Sequence, residues 1–401
     1  MTDPTRTIRV RCTGRDRPGI TAGLLTVVAD AGAELLDMEQ VVVGGQLTLD
    51  LLVGLGGGDA LLKELLFHGW ERGIQVEFEV AEEPTGQRPR LRSVVTVIGQ
   101  ELSPAALAAV TGAIAEAAGN IARITRLSRT PVTSYEFTVV DGDTDEMRTA
   151  LVAVSADHRI DVAVQRENLG RRAKRLVVLD VDSTLIQDEV IELIAEHAGC
   201  AGEVAEITAR AMAGEIDFAD SLRERVGRLA GTDASVLDDV SAKIRLTPGA
   251  RTFVRTLKRL GYTVAIVSGG FDVVTDRLAE ELGIDHAFAN HLEIVDGVIT
   301  GRLVGEIVDR AGKAAVLRRT AAAEGIPLEQ TVAVGDGAND LDMLAEAGLG
   351  IAFNAKPVVR DQADTAVSVP YLDAVLFLLG IRRDEVEAAD AADPPVHVGR
   401  D

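Results

Sequence analysis

Short apolar segments alternate with long helical stretches in the C-terminal half of this chain, from Lys174 onward. Three of these segments, residues 176–179, 264–267 and 331–334, have the composition of buried strands. Strands that alternate with helices predict a doubly wound α/β fold, in which a parallel sheet carries helices on both faces. The carboxyl ends of such strands line one crevice, where open α/β sheets bind ligands. The pattern therefore predicts both the fold class and the edge of the sheet that should carry a site.

Two successive segments in the N-terminal half share one predicted order of elements, namely strand, helix, two strands, helix and strand. The first runs from about Thr7 to Val80, and Gly44-Gly45 marks a hairpin between its central strands. The second runs from about Arg92 to Val164. Two βαββαβ units in a row predict an internal duplication, with each unit forming a small sheet covered by helices on one face.

These patterns predict three domains and a tail. The two small units should occupy residues 6–83 and 91–168, joined by a polar linker that contains two prolines. The larger α/β domain should occupy residues 174–383. Within it, the polar helical stretch at about 189–245 should form a cap over the carboxyl ends of the strands. Residues 384–401, rich in Ala and Asp, are expected to form a flexible tail.

The charge balance narrows the classes of partner. The chain has 41 basic and 63 acidic residues, for a net charge of −22, which argues against nucleic acid and anionic membranes as partners. An anionic ligand would need a metal ion or a few placed Lys and Arg side chains. Two distant cysteines, Cys12 and Cys200, exclude a disulfide framework. With no signal peptide or membrane span in the sequence, we expect a soluble, cytoplasmic protein.

Charged and glycine-rich turns follow the three predicted strands. Asp180 and Asp182 follow the first strand, Ser268-Gly269-Gly270 the second, and a turn that contains Asp336 the third, while Lys313 lies in a helical stretch between the last two. This set of groups suits phosphoryl transfer, because a phosphate ester repels nucleophiles until its charge is neutralised. Asp180 and Asp336 can bind Mg²⁺, and Ser268 with the following amides can hold phosphate oxygens at a helix N-terminus.

Two carboxylates at one strand end suggest a division of roles. One can attack phosphorus to form an aspartyl-phosphate, and the other can act as general acid and then general base. An acid role for Asp182 requires a raised pKa. The nearby Asp180 raises the pKa of Asp182 and a metal lowers it, so the sequence leaves the net direction open.

These four motifs resemble the phosphoserine phosphatase branch of the haloacid dehalogenase superfamily, over residues from about 175 to 380. The resemblance implies Asp180 as nucleophile, Asp182 as general acid/base, and Lys313 and Ser268 as phosphate-binding groups. It also implies that Mg²⁺ is held by Asp180, Asp336 and the backbone carbonyl of Asp182. The substrate contacts that it implies are Glu189, Met212, Phe218, Arg225, Ser268, Gly269 and Asn339.

The chemistry of the cap residues agrees with a phosphoamino acid as substrate. Glu189 is a counter-ion for an ammonium group, and Arg225 can form a bidentate contact with a carboxylate. Met212 and Phe218 would close an apolar wall. The alternative is that these residues are ordinary surface charges and core side chains. The roles of Asp340 and Thr184 stay open.

Both N-terminal units resemble the ACT family of amino-acid-binding regulatory domains, the first through residues 14–20. Within that loop Gly19 permits close backbone approach, so Asp16 and Gly19 are candidate allosteric residues for L-serine. The corresponding loop of the second unit, residues 99–104, lacks the Asp-Arg-Pro-Gly sequence. The ACT resemblance also implies a homodimer.

The sequence thus predicts hydrolysis of O-phospho-L-serine to L-serine and phosphate, the final step of serine synthesis. A phosphatase of broader specificity, or one acting on phosphoproteins, is an alternative with the same chemistry. An amino-acid-sensing module with a decayed phosphatase half is a third reading, which the four undamaged motifs disfavour.

Overall fold

A computed structural model describes residues 6–55, 60–81, 92–212 and 215–393 of the chain. The chain divides between residues 89 and 90 into two compact units. The fold is mixed α/β with three sheets, which confirms the predicted class: two small antiparallel sheets precede a large, mainly parallel one. Among the described residues, no helix has the length and apolar character that crossing a membrane requires.

The first unit is a βαββαβ sandwich of one sheet and two helices. Its antiparallel sheet has the strand order β2-β3-β1-β4. Alternate residues of β1 and β3, such as Val10 and Leu49, are fully buried in its core together with Leu24 of the first helix. The elements are β1 Arg6–Arg15, α1 Ile20–Asp30, β2 Glu34–Val43, β3 Gln46–Leu55, α2 Ala60–Arg72 and β4 Ile74–Val80.

The second small domain repeats this architecture, as the predicted duplication requires. Its strand order, β6-β7-β5-β8, matches that of the first sheet position by position. Side-chain caps start both helices: Ser103 Oγ accepts from the Ala106 N–H and Asp143 Oδ1 from the Glu146 N–H. The elements are β5 Arg92–Gly99, α3 Pro104–Glu116, β6 Asn120–Ser128, β7 Thr133–Val140, α4 Thr144–His158 and β8 Asp161–Arg166.

The large sheet has seven strands in the order β12-β11-β10-β9-β13-β14-β15. All neighbours are parallel except the hairpin of β11 and β12. The strands are β9 Leu176–Asp180, β10 Thr263–Phe271, β11 His286–Val295, β12 Val298–Val304, β13 Thr331–Gly335, β14 Gly350–Phe353 and β15 Thr365–Val367. The helices are α5 Leu169–Arg172, α6 Val190–Ala198, α7 Ala201–Met212, α8 Phe218–Gly227, α9 Val236–Lys243, α10 Ala250–Arg259, α11 Asp272–Leu282, α12 Arg310–Ala323, α13 Leu341–Glu346, α14 Pro357–Arg360, α15 Val375–Leu378 and α16 Arg383–Ala392.

The central strand β9 is buried on both faces. Val177 and Leu179 belong to one hydrophobic cluster, which includes side chains of α10 and α11. Leu176 and Val178 belong to another, on the opposite face, with side chains of α12 and α13. Burial on both faces explains why this strand is a continuous apolar run rather than an alternating one.

Four helices, α6 to α9, occupy the insertion between β9 and β10, where the sequence predicts a cap. Their apolar side chains, including Leu222, Val226 and Val240, are continuous with the cluster around β9. The insertion therefore packs onto the sheet as part of the same hydrophobic core.

The second small domain packs against the large one through their edge strands, β8 and β15. The backbone N–H of Ser368, just after β15, donates to Asp161 Oδ2 over 2.6 Å. Gln165 Nε2 of β8 donates to the Leu378 carbonyl over 3.0 Å. Arg171 of α5 forms a largely buried ion pair with Glu136 of β7 at 2.6 Å. These contacts join the two domains over a shared surface.

The prediction of a flexible tail from residue 384 is wrong for its first part. Residues Arg383–Ala392 form α16, and Asp390 pairs with both Arg255 and Arg259 of α10. The Ala- and Asp-rich composition suggested disorder, but those two arginines provide a partner that lies far away in the sequence. Residues 394–401 lie outside the described part of the chain.

Candidate active site

The first functional group lies where β9 ends. Asp180 is its last residue, and residues Val181–Leu185 then make one wide turn, closed by a hydrogen bond from the Ile186 N–H to the Val181 carbonyl. Within this turn Ser183 has a φ of 58°, in the left-handed region that non-glycine residues rarely occupy. The turn brings the side chains of Asp180, Asp182 and Ser183 to the carboxyl edge of the sheet.

Lys313, on α12, lies fully buried between two carboxylates. Its Nζ is 2.5 Å from Asp180 Oδ1 and 2.7 Å from Asp340 Oδ1. Burial alone would lower the pKa of Lys313, but the two carboxylates outweigh it and the net pKa is raised. Burial raises the pKa of Asp180 well above its ordinary value, and the Asp340 charge adds to this shift while Lys313 opposes it. Lys313 therefore supplies the positive charge that stabilises the buried carboxylate of Asp180.

Three carboxylates form a cluster with the geometry of a cation site. Oxygens of Asp180, Asp336 and Asp340 all lie within 4.8 Å of one another. Burial raises the pKa of Asp336 to about 6, the Asp340 charge adds to the shift, and a hydrogen bond from Thr184 Oγ1 at 3.3 Å opposes it. Oxygen donors held this close, with their charges only partly neutralised, suit a hard divalent cation such as Mg²⁺.

Asp182 is held by two hydrogen bonds. Its Oδ1 accepts from the Val190 N–H at the start of α6 over 2.9 Å, and its Oδ2 accepts from Ser268 Oγ over 2.8 Å. The Ser268 Oγ in turn accepts from the Gly270 N–H over 2.7 Å. The first and second strand-end motifs are thus in direct contact, as the parallel sheet predicted.

Two glycines at this end of β10 allow side chains of the site to pack closely against the backbone of the strand. A Cβ at Gly270 would lie 2.9 Å from Ser268 Oγ and 3.3 Å from Asp182 Oδ2. A Cβ at Gly269 would lie 3.0 Å from the Cζ atom of Phe218 on the cap helix α8. The cap ring therefore closes directly over the Ser-Gly-Gly turn, and neither glycine can take a side chain without displacing a site residue.

Glu189 and Arg225 bring opposite charges to the cap side of this site. Glu189, immediately before α6, accepts a 2.8 Å hydrogen bond from Ser183 Oγ. Burial raises the pKa of Glu189 to about 7, and the charge of Asp182 adds to the shift. Burial lowers the pKa of Arg225, although Glu189, Glu192 and Asp182 counteract it. The carboxylate of Glu189 and the half-buried guanidinium of Arg225, so placed, can receive the two ends of a zwitterion.

The remaining predicted residues are placed as follows. Asn339 is half-buried in the short turn Ala338–Asp340, next to Asp340. The side chain of Met212 lies outside the described part of the structure. In the first unit, Gly19 has a φ of 90° and precedes α1, and its carbonyl accepts from Arg72 at 3.5 Å. The backbone N–H of Asp16 donates to the Gly45 carbonyl over 2.9 Å.

Two residues that sequence reasoning missed hold the site in place. Asn290 on β11 is 2% exposed; its Nδ2 donates to the Gly269 carbonyl and its Oδ1 accepts from the Val308 N–H, both over 2.8 Å. Thr247 Oγ1 donates to the Thr184 carbonyl over 2.7 Å. The available signal for Asn290 was an asparagine directly after the apolar run of residues 287–289 in a strand, because a buried amide needs partners.

Comparison with known families agrees with this geometry. Residues 177–345 match the family of haloacid dehalogenase-like hydrolases. Residues 6–79 and 92–165 each match a family described as an ACT domain. The hydrolase match spans every strand-end motif of the site, and the two ACT matches fall on the two small sheets.

Two relatives match this chain over nearly its full length. The chain is 57% identical to the phosphoserine phosphatase of Streptomyces coelicolor over 397 residues, covering 97% of this chain and 96% of that protein. It is 49% identical to the phosphoserine phosphatase SerB2 of Mycobacterium tuberculosis, covering 96% of each.

Two solved structures match most of this chain. The structure of a probable phosphoserine phosphatase from Vibrio cholerae, in unliganded form, matches with a TM-score of 0.57 at 39% identity, covering 72% of this chain and 86% of that one. A haloacid dehalogenase family hydrolase from Salmonella enterica serovar Typhi matches with a TM-score of 0.65 at 31% identity, covering 72% of this chain and 98% of that one. This chain therefore belongs to the phosphoserine phosphatase family of haloacid dehalogenase-like hydrolases, with two ACT domains ahead of the hydrolase domain.

Proposed function

We propose that this protein catalyses the Mg²⁺-dependent hydrolysis of O-phospho-L-serine to L-serine and phosphate, through an aspartyl-phosphate on Asp180. The observation that carries the proposal is the meeting of two sets of groups at one edge of the sheet. Asp180, Lys313 and Ser268 provide phosphate chemistry, while Glu189 and Arg225 provide charges for an ammonium and a carboxylate. Phosphoserine carries all three groups.

The first step uses Asp180 as the nucleophile. A carboxylate oxygen of Asp180 forms a bond to phosphorus, and the bond from phosphorus to the serine oxygen breaks. Lys313, at 2.5 Å from Asp180, lowers the negative charge around the carboxylate and the incoming phosphate. The serine oxygen leaves with a proton from Asp182, so L-serine departs as the neutral alcohol.

The second step returns the enzyme to its starting state. Asp182, now a carboxylate, takes a proton from a water molecule, whose oxygen bonds to phosphorus while the bond to Asp180 breaks. Asp182 is well placed for both transfers because hydrogen bonds to the Val190 N–H and to Ser268 fix its carboxylate. Inorganic phosphate and free Asp180 result, and the proton count balances over the two steps.

The carboxylate cluster supports a bound magnesium ion. Asp180 and Asp336, with the backbone carbonyl of Asp182, would hold it, and it would supply positive charge to the phosphate. Asp340 also lies in the cluster, but its oxygens accept from Lys313 and from the Gly337 N–H, at 2.7 and 2.9 Å. Asp340 therefore orients Lys313 and the turn that carries Asp336.

The cap groups would select the amino acid part of the substrate. Glu189 receives the ammonium, Arg225 the carboxylate, and the Phe218 ring excludes water above Gly269. Asn339, half-buried beside Asp340, is proposed as a further substrate contact, and Met212 keeps its predicted role in the apolar wall.

L-Serine is proposed as a regulatory ligand at Asp16 and Gly19 of the first ACT domain. Gly19 takes a backbone conformation that favours glycine and leaves the start of α1 open to a carboxylate. An Asp16→Ala variant that responds to L-serine as the wild type does would contradict this assignment. A homodimer and a cytoplasmic location remain predictions, which sedimentation and fractionation would check.

A substrate panel tests the function. Purified full-length protein with Mg²⁺ should release phosphate from O-phospho-L-serine far faster than from sugar phosphates or a phosphoserine peptide. Asp180→Asn should abolish this release. Comparable turnover of sugar phosphates would overturn the substrate assignment. Arg225→Ala should lose activity on phosphoserine only, because a peptide has no free carboxylate at that position.

A further inference from the structure

Two segments of the chain connect the cap to the sheet. The entry segment, residues 186–189, leads into α6, and the exit segment, residues 244–249, leads out of α9. They run antiparallel and pair as a short ribbon. The Gln187 N–H donates to the Arg245 carbonyl over 2.9 Å, and Gln187 Nε2 donates to the Leu246 carbonyl over 2.8 Å. The position of the start of α6 therefore depends on this ribbon.

The exit segment is also bonded directly to the hydrolase domain. Buried Thr247 donates its N–H to the Leu185 carbonyl over 3.0 Å and its Oγ1 to the Thr184 carbonyl over 2.7 Å. The Pro248 carbonyl accepts from the Leu372 N–H over 2.8 Å. The exit segment is thus fixed both to the wide turn after β9 and to the segment before α15. It gives the entry segment a firm partner.

Asp188 joins the two segments through its side chain. Its Oδ2 accepts from the Arg245 N–H over 2.9 Å, and its Oδ1 accepts from Arg245 Nη2 over 2.7 Å. The Asp188 side chain is 11% exposed. A carboxylate with so little access to water needs hydrogen-bond donors from the protein, and one residue of the exit segment supplies a donor to each of its oxygens.

The two residues that follow Asp188 both belong to the site. Val190 donates its N–H to Asp182, and its own side chain is 2% exposed in the hydrophobic cluster around β9. Glu189 lies outside that cluster, and its carboxylate accepts a hydrogen bond from Ser183. Apolar packing therefore holds Val190, whereas the backbone of Glu189 depends on its attachment to Asp188.

We propose that Asp188, through its two hydrogen bonds with Arg245, is a positioning residue that sets the selectivity for substrates with an ammonium group. Asp188 holds the backbone of Glu189, and Ser183 holds its side chain. Only a substrate that places an ammonium at Glu189 should depend on this arrangement. The inference rests on the proposed function, because it concerns the amino acid part of the same substrate.

A comparison of two substrates on the full-length protein with Mg²⁺ tests the proposal. Phosphoglycolate has a phosphate and a carboxylate, as phosphoserine has, but no ammonium group. In Asp188→Ala the KM for phosphoserine should rise about tenfold, because small displacements of a positioned group are costly. The kcat for phosphoserine and the kcat/KM for phosphoglycolate should change little.

Variants of Arg245 test the same contact from its other side. Arg245→Gln should raise the KM for phosphoserine less than Asp188→Ala does, because the backbone N–H at position 245 still donates. Arg245→Lys should keep most of the selectivity, since one charged donor suffices for the single side-chain contact. Arg245 is 68% exposed, so these variants test the pair even if Asp188→Ala folds poorly.

Arg302→Gln is the matched control. Arg302 on β12 pairs with Glu293 through Nη2 at 2.6 Å and is 71% exposed. This variant removes an ion pair of the same kind outside the ribbon, so its selectivity should equal that of the wild type.

Three results would overturn this inference alone. The first is a preference for phosphoserine over phosphoglycolate that Asp188→Ala keeps in full. The second is an equal loss on both substrates, which would mean that Asp188 supports the fold or Asp182 and not Glu189. The third is a loss of selectivity in Arg302→Gln as large as in Arg245→Gln. A wild type without any preference for phosphoserine would instead overturn the proposed function, and this inference with it.

Discussion

Ser183 Oγ donates a 2.8 Å hydrogen bond to Glu189 Oε1, and this contact joins the catalytic turn to the cap. Ser183 occupies a left-handed conformation, with a φ of 58°, that aims its hydroxyl at the glutamate. The hydrogen bond favours the ionised form of Glu189, against the burial that raises the pKa of this group. Ser183 is thus a positioning residue for the group that should bind the ammonium.

Ser183→Gly should raise the KM for phosphoserine about tenfold with little change in kcat, because a hydrogen bond to a charged group contributes about 1.5–3 kcal/mol. Glycine is the preferred replacement since it accepts the positive φ. Steady-state kinetics would measure the effect. Ser241→Ala, whose hydroxyl bonds a helix carbonyl on α9, is the control and should leave KM unchanged. A fall in kcat alone would contradict the positioning role.

The raised pKa of Glu189 also predicts the acid limb of the pH profile of kcat/KM. Because its pKa is raised to about 7, the carboxylate that receives the ammonium is lost as the pH falls through that value. The kcat/KM for phosphoserine should therefore fall up to about tenfold per pH unit below neutrality, relative to that for phosphoglycolate, which has no ammonium. Glu189→Gln should remove the pH dependence of this ratio. A constant ratio in the wild type would contradict the assignment.

The sequence predicted the parts of the site that follow from strand order. Asp180, Ser268 and Asp336 each lie at or just after the carboxyl end of a parallel strand, and parallel strands place their carboxyl ends at one edge. Lys313 could be added because the charge on a phosphate and on its intermediate needs a cation. Contacts between distant elements could not be predicted in this way.

The contact of Ser368 with Asp161 joins residues 207 positions apart in sequence, and no local pattern encodes it. Asn290 was missed for a similar reason, since its partners belong to the carboxyl end of β10 and to the segment before α12. The helix α16 depends on Arg255 and Arg259, more than 120 residues earlier. Tertiary contacts decided each of these features.

Asn290→Ala should lower kcat/KM about tenfold and destabilise the protein by about 1–3 kcal/mol, because the Gly269 carbonyl and the Val308 N–H would lose their buried partner. Asn290→Asp separates the two contacts, since a carboxylate can accept from Val308 but cannot donate to Gly269. If Gly269 is the contact that matters for phosphate binding, both variants should lose activity. Full activity in Asn290→Asp would show that the Val308 contact suffices.

Magnesium should stabilise the folded protein, and more so at higher pH. At about 100-fold excess over its Kd, a ligand that binds only the folded state adds about 2.7 kcal/mol. The raised pKa of Asp336, about 6, means that this ligand is protonated below that pH, so the rise in Tm should be larger at about pH 8 than at about pH 5. Thermal unfolding with and without MgCl₂ at both pH values measures this rise in Tm.

Asp336→Asn should lose most of this stabilisation by magnesium. Asp157→Asn, on the exposed side of α4, should keep it in full. A Tm that rises equally in both variants would place the ion elsewhere.

Lys313→Met should destabilise the hydrolase domain by about 3 kcal/mol, or about 6–12 °C in Tm, because it leaves Asp180 and Asp340 buried without their cation. The loss should grow with pH. A carboxyl whose pKa is raised in the folded state costs nothing when protonated in both states, and its cost increases as the pH rises above the unfolded value of about 3.8. Circular dichroism melts at about pH 5 and about pH 8 would show the difference.

Lys258→Met removes a half-exposed ion pair with Asp285 and should cost less than about 1 kcal/mol, with little pH dependence. An equal loss at both pH values for Lys313→Met would mean that its side chain stabilises the domain by packing, and not by its charge.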